Sequence, residues 1–499
     1  MSQLDIRKAF DGETVFLTGF TGFVGKVLTE KILRSCPNVG HIYVLMREKK
    51  GKSIEERLDE ILQDPLFSIL GKIEPKFRHK ITPLPGDCAL PELGLTPEDK
   101  KLLINEVSIV FHGAATVKFD EQLKTAFNIN IRGTREMLDL AREMTNLKGF
   151  IHVSTAYANS HVNHIEEKLY DCPIEVTKLE EMVNTMDENV LYTLQPKLLG
   201  DWPNTYAYTK SIAEHVVNDY GRGIPRIIFR PAIVVGTDRE PVIGWTDNVY
   251  GPTGIVVGAG CGLLHSIYCD LSMIANIVPV DYVVSALIAS AAAVVNDQPK
   301  NGREVVKIYN YVSSVDNPLQ WREFKRLIEL HGAAVPPIKA IWCYFLTTHR
   351  IWAFHLICTL LFHYLPALIM DTITFITRAD NPNMYRIYKK IDKYSEVLSS
   401  FSMRTWIFTN DNVNSLLQRL NKEDRAEFDF DISHLDWNKF FYNYIRGLRV
   451  YLLKDGWETL PQASTKWRRF QIAHQVIKYV SLLLLLRLAW VLTSPFIFN

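Results

Sequence analysis

Residues 206 to 210, Tyr-Ala-Tyr-Thr-Lys, put a phenol and an ammonium four positions apart. On a helix, residues at that spacing share one face. A lysine charge beside Tyr206 favours the phenolate, so the pair can pass a proton to or from a carbonyl or alcohol oxygen near neutral pH. Tyr206 and Lys210 are therefore the first catalytic candidates. Upstream, the run Gly149 to Val153 ends in Ser154 and Thr155, two hydroxyls placed where a reacting carbonyl needs a second hydrogen bond. Residue type does not choose between them. The competing readings are an ordinary exposed helix face for the first pair and backbone bonding at a strand end for the second.

A second constellation concerns phosphate. Thr18-Gly19-Phe20-Thr21-Gly22-Phe23-Val24-Gly25 joins the β-branched run TVFLT to the helical pattern VGKVLTEKILRSC. The first glycine permits a tight turn, the second lets backbone approach a pyrophosphate, and the third lets the helix pack on the sheet. The phosphates then meet the positive helix N-terminus. A second strand, HIYVLMR, ends in Arg47 and is followed by Lys50, where an NAD enzyme usually carries a carboxylate. Cations there suit a ribose 2′-phosphate, so NADPH is the expected cofactor. Asp87, in PGD, is placed for the adenine amine or for a cap. Gly113, Ala114 and Ala115 are small enough for the cofactor to lie against backbone. Asn130, in NIRGT, either links Lys210 to solvent or braces the sheet, and Ile233, in RPAIV, completes the cofactor-binding set. No ligand spacing for a metal ion is present.

These side chains sit on an alternation of strands and helices. Strand-like runs at 14–19, 41–47, 80–87, 108–115, 149–155 and 226–236 are separated by helical stretches. That pattern predicts an α/β fold, a doubly wound parallel sheet of the Rossmann kind, with ligands at the carboxyl ends of the strands. The chain of 499 residues is long enough for that unit and smaller additions. Lys+Arg 56 against Asp+Glu 55 gives a formal charge of +1, which offers no global field for nucleic acid. Seven cysteines without a CxxC pair fit a reducing compartment, and the charged N-terminus does not read as a signal peptide.

Beyond residue 335 the character changes. Residues 341–370 are aromatic and leucine-rich but interrupted by His349, Arg350, His355, His363 and Pro366. A buried or membrane-lying hairpin suits them better than a span. Residues 479–498 are long enough to cross a bilayer, with one central charge, Arg487, and Lys466, Arg468 and Arg469 upstream. The expected divisions are a reductase domain over 1–335, a hydrophobic segment over 336–372, a helical domain over 365–455 and an anchor over 476–498.

Taken in order, TGFTGFVG, PGD, HGAAT, NIRGT, STAY, YAYTK and RPAIV resemble the extended short-chain dehydrogenase/reductase superfamily. Within it the chain is most similar to eukaryotic alcohol-forming fatty acyl-CoA reductases. That likeness rests on VFLTGFTGFVGKVLTEKILRSCP, VFHGAATVKFDE, GWTDNVYGPTGIVVGAGCGLL, FHYLPALIMD and LDWNKFFYNYIRGLRVYLLKD. It implies reduction of a long-chain or very-long-chain acyl-CoA by two hydride transfers from NADPH, giving a fatty alcohol and free CoA. Tyr206 would protonate the oxyanion, Lys210 would tune it and hold the cofactor, and Ser154 or Thr155 would orient the carbonyl. It implies a membrane of the endoplasmic reticulum or peroxisome, a cytosolic catalytic domain and a single C-terminal span, and it leaves a homo-oligomer open. A membrane-bound hydroxysteroid or sterol dehydrogenase and a non-enzymatic dinucleotide-binding protein are the alternatives.

Overall fold

The computed structural model describes residues 3–49, 51–297, 306–377 and 383–497. Seven short strands, rich in Val, Ile, Leu and Phe, form one parallel sheet: β1 (Thr14–Thr18), β2 (His41–Met46), β3 (Ile81–Pro85), β4 (Ile109–His112), β5 (Gly149–Val153), β6 (Arg226–Pro231) and β7 (Lys307–Tyr311). Their order is β7-β6-β5-β4-β1-β2-β3. The six predicted strands all lie in this sheet. The seventh was missed because KIYNY is short and interrupted by polar residues. The run at 226–236 divides at Pro231, and Ile233–Val235 leaves the main sheet to pair with Ile277–Pro279.

Near-continuous apolar strands need cover on both faces. One face carries α1 (Phe23–Ser35) and a later, almost wholly buried helix, Val280–Asn296. The other carries the helices Gly133–Glu143 and Thr205–Asp219, whose Met137, Leu138, Ile212 and Val216 meet Phe16, Val110, Phe150 and Ile228 in one core. The strand order reverses between β1 and β4. In an open parallel sheet, that reversal opens a crevice at the carboxyl ends.

The chain forms two compact units built from interleaved segments. The first comprises residues 1–246, 274–320 and 404–440, and the second 247–273, 321–403 and 441–499. The domains expected from sequence follow the chain in order, whereas these units exchange segments. The second unit is mostly helical. It contains a 26-residue apolar stretch, Trp352–Thr377, a polar helix Met384–Ser402, and a continuous 38-residue helix Leu460–Ile497.

Candidate active site

Helix α2 (Ile54–Leu62) follows β2, α3 (Gly133–Glu143) follows β4, and α4 (Thr205–Asp219) follows β5. Asn204 caps α4, its side chain accepting from the Ala207 amide at 2.8 Å. The cap starts the helix where Tyr206 and Lys210 fall one turn apart at the end of β5. The Thr155 hydroxyl acts on the Tyr206 phenol in the sense that favours its ionised form, and it accepts from the Tyr157 amide at 3.3 Å. Lys210 Nζ donates to the Val153 carbonyl at 2.7 Å. The ring of Phe119 covers Tyr206 with centroids 5.8 Å apart.

The two hydroxyls left open by the sequence have different partners. Ser154 Oγ donates to Glu214 Oε1 at 2.6 Å, and Glu214 is held by Arg230 through Nε at 2.7 Å and Nη2 at 2.6 Å. Both charged side chains are fully buried. Arg230 also donates to the carbonyls of Glu166 and Lys168. Ser154 is thus tied into a charge-assisted network, while Thr155 faces the phenol. Glu214 and Arg230 were not singled out from sequence. The available signal was one further helical turn, Tyr206, Lys210, Glu214, on the same face of α4.

Burial is the larger influence on the Tyr206 pKa and pushes it up to about 12, against the pull of Thr155. The chain by itself therefore does not favour the phenolate, and Tyr206 is protonated near neutral pH. Burial pushes Lys210 down to about 8, with Glu214 and then Cys88 acting in the opposite sense. The buried rings of His112 and His152 are kept neutral, His112 at about 3 and His152 well below its ordinary value.

Asn130 braces the site. Its amide donates to Thr209 Oγ1 at 2.9 Å and its carbonyl oxygen accepts from the Thr116 amide at 2.9 Å, tying α4 to the β4 exit. It sits in a π-helical turn, Phe127–Arg132, leading into α3.

The dinucleotide cradle is preformed. Gly19 has φ +83°, and a Cβ there would stand 2.7 Å from the Gly113 carbonyl carbon. A Cβ on Gly25 would meet the Gly19 carbonyl oxygen at 2.3 Å. Gly22 is the N-cap of α1 and offers no side chain to the amides of its first turn. Thr18 Oγ1 is hydrogen-bonded to His112 Nδ1 at 2.8 Å and accepts from the Ala114 amide, so it locks β1 to β4. Phe20 is buried, Thr21 is exposed, and Phe23 stacks on Trp245 beside Val24. Ala115 and Ile233 are half-buried at the ends of β4 and beyond β6.

At the end of β2, Arg47 reaches Asp87 at 3.3 Å, and Asp87 also accepts from the Ala89 amide at 3.0 Å. Asp87 therefore organises the β3 exit. Arg57, on α2, donates to the Arg47 carbonyl and brings a second guanidinium to this corner. Its distance in sequence from the strand end hid it. Lys50 lies outside the described residues.

A doubly wound sheet, a glycine cradle at its reversal point and a Tyr–Lys pair beside it define a nicotinamide-dinucleotide-binding reductase fold. Residues 17–287 match the NAD-binding part, and residues 362–455 the Sterile part, of the family described as male sterility protein. The chain is 42% identical over 461 residues to fatty acyl-CoA reductase wat of Drosophila melanogaster, covering 92% of this chain and 88% of the relative. It is 37% identical over 467 residues to fatty acyl-CoA reductase 1 of Rattus norvegicus, with the same coverage. The chain belongs to this family of fatty acyl-CoA reductases. Among solved structures, the reductase domain of a nonribosomal peptide synthetase from Mycobacterium tuberculosis superposes with a TM-score of 0.59 at 18% identity, covering 89% of this chain and 95% of that one. The terminal reductase domain of the myxalamid pathway gives 0.56 at 20% identity, covering 88% and 90%. These two share the fold.

Proposed function

We propose that the protein reduces long-chain or very-long-chain fatty acyl-CoA to a primary alcohol, releasing CoA and using NADPH. The observation that carries this reading is the Tyr206 hydroxyl held against Thr155, with Lys210 one turn on, beside the glycine cradle of a chain in the fatty acyl-CoA reductase family.

The amides at the start of α1 and the backbone from Gly113 to Ala115 would hold the dinucleotide, Lys210 its ribose, and Arg47 and Arg57 a 2′-phosphate. When bound, this group supplies hydride to the thioester carbonyl and, after exchange, to the aldehyde. Tyr206 gives its phenolic proton to the first oxyanion while Thr155 holds the same oxygen. As the hemithioacetal collapses, the phenolate recovers that proton, the C–S bond breaks and CoA leaves as thiolate. Tyr206 donates again to the alkoxide of the alcohol, and solvent restores the proton. Lys210, charged below about pH 8, stabilises the phenolate between these steps.

Among the described residues, two helices are long and apolar enough to cross a membrane. Residues 476–498 are the proposed single-pass anchor, with the catalytic unit cytosolic and the endoplasmic reticulum or peroxisome as host. Arg487 costs about 2.5 to 3.5 kcal/mol at mid-bilayer, which the surrounding Leu and Val residues offset at about 0.3 to 0.6 each. Lys466, Arg468 and Arg469 lie on the side that positive-inside placement requires.

The test supplies purified protein with a series of long-chain acyl-CoAs and NADPH. Two NADPH oxidised per CoA released, with alcohol as product, supports the reading. One per CoA with free aldehyde rejects the second reduction, and no turnover on any acyl-CoA rejects the substrate class.

A further inference from the structure

The apolar stretch Trp352–Thr377 consists of α5 (Trp352–Thr359), a π-helical turn, Leu360–Tyr364, and α6 (Leu365–Thr377). One line along it carries four polar residues and an alanine. His355, Thr359, His363, Ala367 and Asp371 stand four apart, and this is the side turned into the second unit. His355 Nδ1 is 2.8 Å from Ser266 Oγ. His363 Nε2 accepts from the His265 amide at 2.9 Å, and the ring stacks on Tyr388. Asp371 accepts from the amides of Met384 and Tyr385 at 2.8 and 3.0 Å, capping the start of α7 (Met384–Ser402).

The opposite side is apolar and uncovered. Trp352, Phe354, Leu361, Leu368, Phe375 and Ile376 each expose half or more of their surface. A helix at a protein–water boundary turns its apolar stripe inward. Here the stripe turned inward is the polar one, an arrangement that is favourable only where the surroundings are themselves apolar.

Helix α7 decides how the stretch meets those surroundings. It packs alongside through the Asp371 cap, the Tyr388–His363 stack and Asp392, 3.6 Å from His363. Its exposed residues include Arg386, Lys389 and Lys390. If Trp352–Thr377 crossed the bilayer, these charges would be drawn into hydrocarbon. With the stretch lying flat, they sit at headgroup depth, where basic side chains meet anionic phosphates. The same unit carries α8 (Leu460–Ile497), uncovered along its membrane-length portion, so a bilayer is at hand.

We propose that Trp352–Thr377 lies in the plane of the membrane, its apolar side sunk into one leaflet, and does not cross. The chain then holds the bilayer by two devices, a flat helix and a spanning one.

The test uses full-length protein in vesicles of phosphatidylcholine and phosphatidylserine, with Cys172→Ser and Cys358→Ser removing the two half-buried thiols. Trp352→Cys, Leu361→Cys, Phe375→Cys and, as the spanning control, Leu484→Cys each receive an environment-sensitive fluorophore. Circular dichroism establishes that each variant is folded. The expected result is that the first three labels are quenched about equally, and about twofold or more better by a spin label near the headgroup than by one at the bilayer centre. The Leu484 label shows the reverse. Deep quenching at Leu361 with shallow quenching at 352 and 375 would overturn the proposal in favour of a span. Quenching of all three by aqueous iodide overturns it in favour of a water-facing surface. Protection from both lipid and iodide overturns it in favour of a second protein surface.

Discussion

At the residue scale, the site rests on what each hydroxyl holds. Thr155 acts on the Tyr206 phenol, whereas Ser154 donates to the buried Glu214 carboxylate. Thr155→Ala should therefore lower kcat by about 100-fold or more, the usual consequence of removing an oxyanion donor. Ser154→Ala should leave kcat within several-fold and instead reduce stability by about 1 to 3 kcal/mol, because Glu214 loses a buried donor. Steady-state kinetics and urea unfolding separate the two outcomes. Tyr206→Phe should cost about 100- to 10,000-fold in turnover with dinucleotide affinity retained. The pH profile follows from Lys210: its pKa is lowered to about 8, so its charge is complete below that value and lost as pH rises through it. We expect kcat/KM to fall above about pH 8. Glu214→Gln, which removes a charge holding that pKa up, should move the falling limb to lower pH.

At the element scale, α4 is the part that turns spacing into chemistry. Its Asn204 cap fixes where the helix begins, and Asn130, delivered by the π-helical turn, clamps it to the β4 exit. The glycine turn acts by exclusion. Gly19→Ala places a Cβ against Gly113 at a left-handed φ, a strain of about 1 to 3 kcal/mol before any clash, so dinucleotide affinity should fall about 10-fold or more in a fluorescence titration. At the other end of the crevice, Arg47 and Arg57 approach each other from β2 and α2. Substituting both by alanine should raise the KM for NADPH by about 10- to 100-fold while changing that for NADH little, since each charged hydrogen bond contributes about 1.5 to 3 kcal/mol.

At the scale of the whole molecule, the proposed chemistry and the proposed membrane attachment fall in different compact units. The cradle and the Tyr206–Lys210 pair belong to the first, and both apolar helices to the second. Removing residues 479–499 should therefore convert the protein from a form that resists carbonate extraction to one that carbonate releases. Because Trp352–Thr377 remains, the shortened chain should still float with anionic vesicles at low salt. Flotation assays in both conditions read the two contributions separately.

Local rules carried the sequence reading a long way. Strand runs, the glycine turn and the Tyr–Lys interval are legible because each depends on neighbours within about one helical turn or one strand. They yielded six of the seven strands of the main sheet, the crevice, and the placing of Tyr206 and Lys210 one helical turn apart. The four-residue spacing of His355, Thr359, His363, Ala367 and Asp371 was also present in the sequence. Tertiary structure alone decided the contacts that join distant segments: Glu214 taking Ser154 and leaving Thr155 to the phenol, Arg57 arriving at Arg47, and the polar stripe of the apolar helix turning inward. A side chain's type limits what it can bond, but only the folded chain determines which partner reaches it first and which face meets water, protein or lipid.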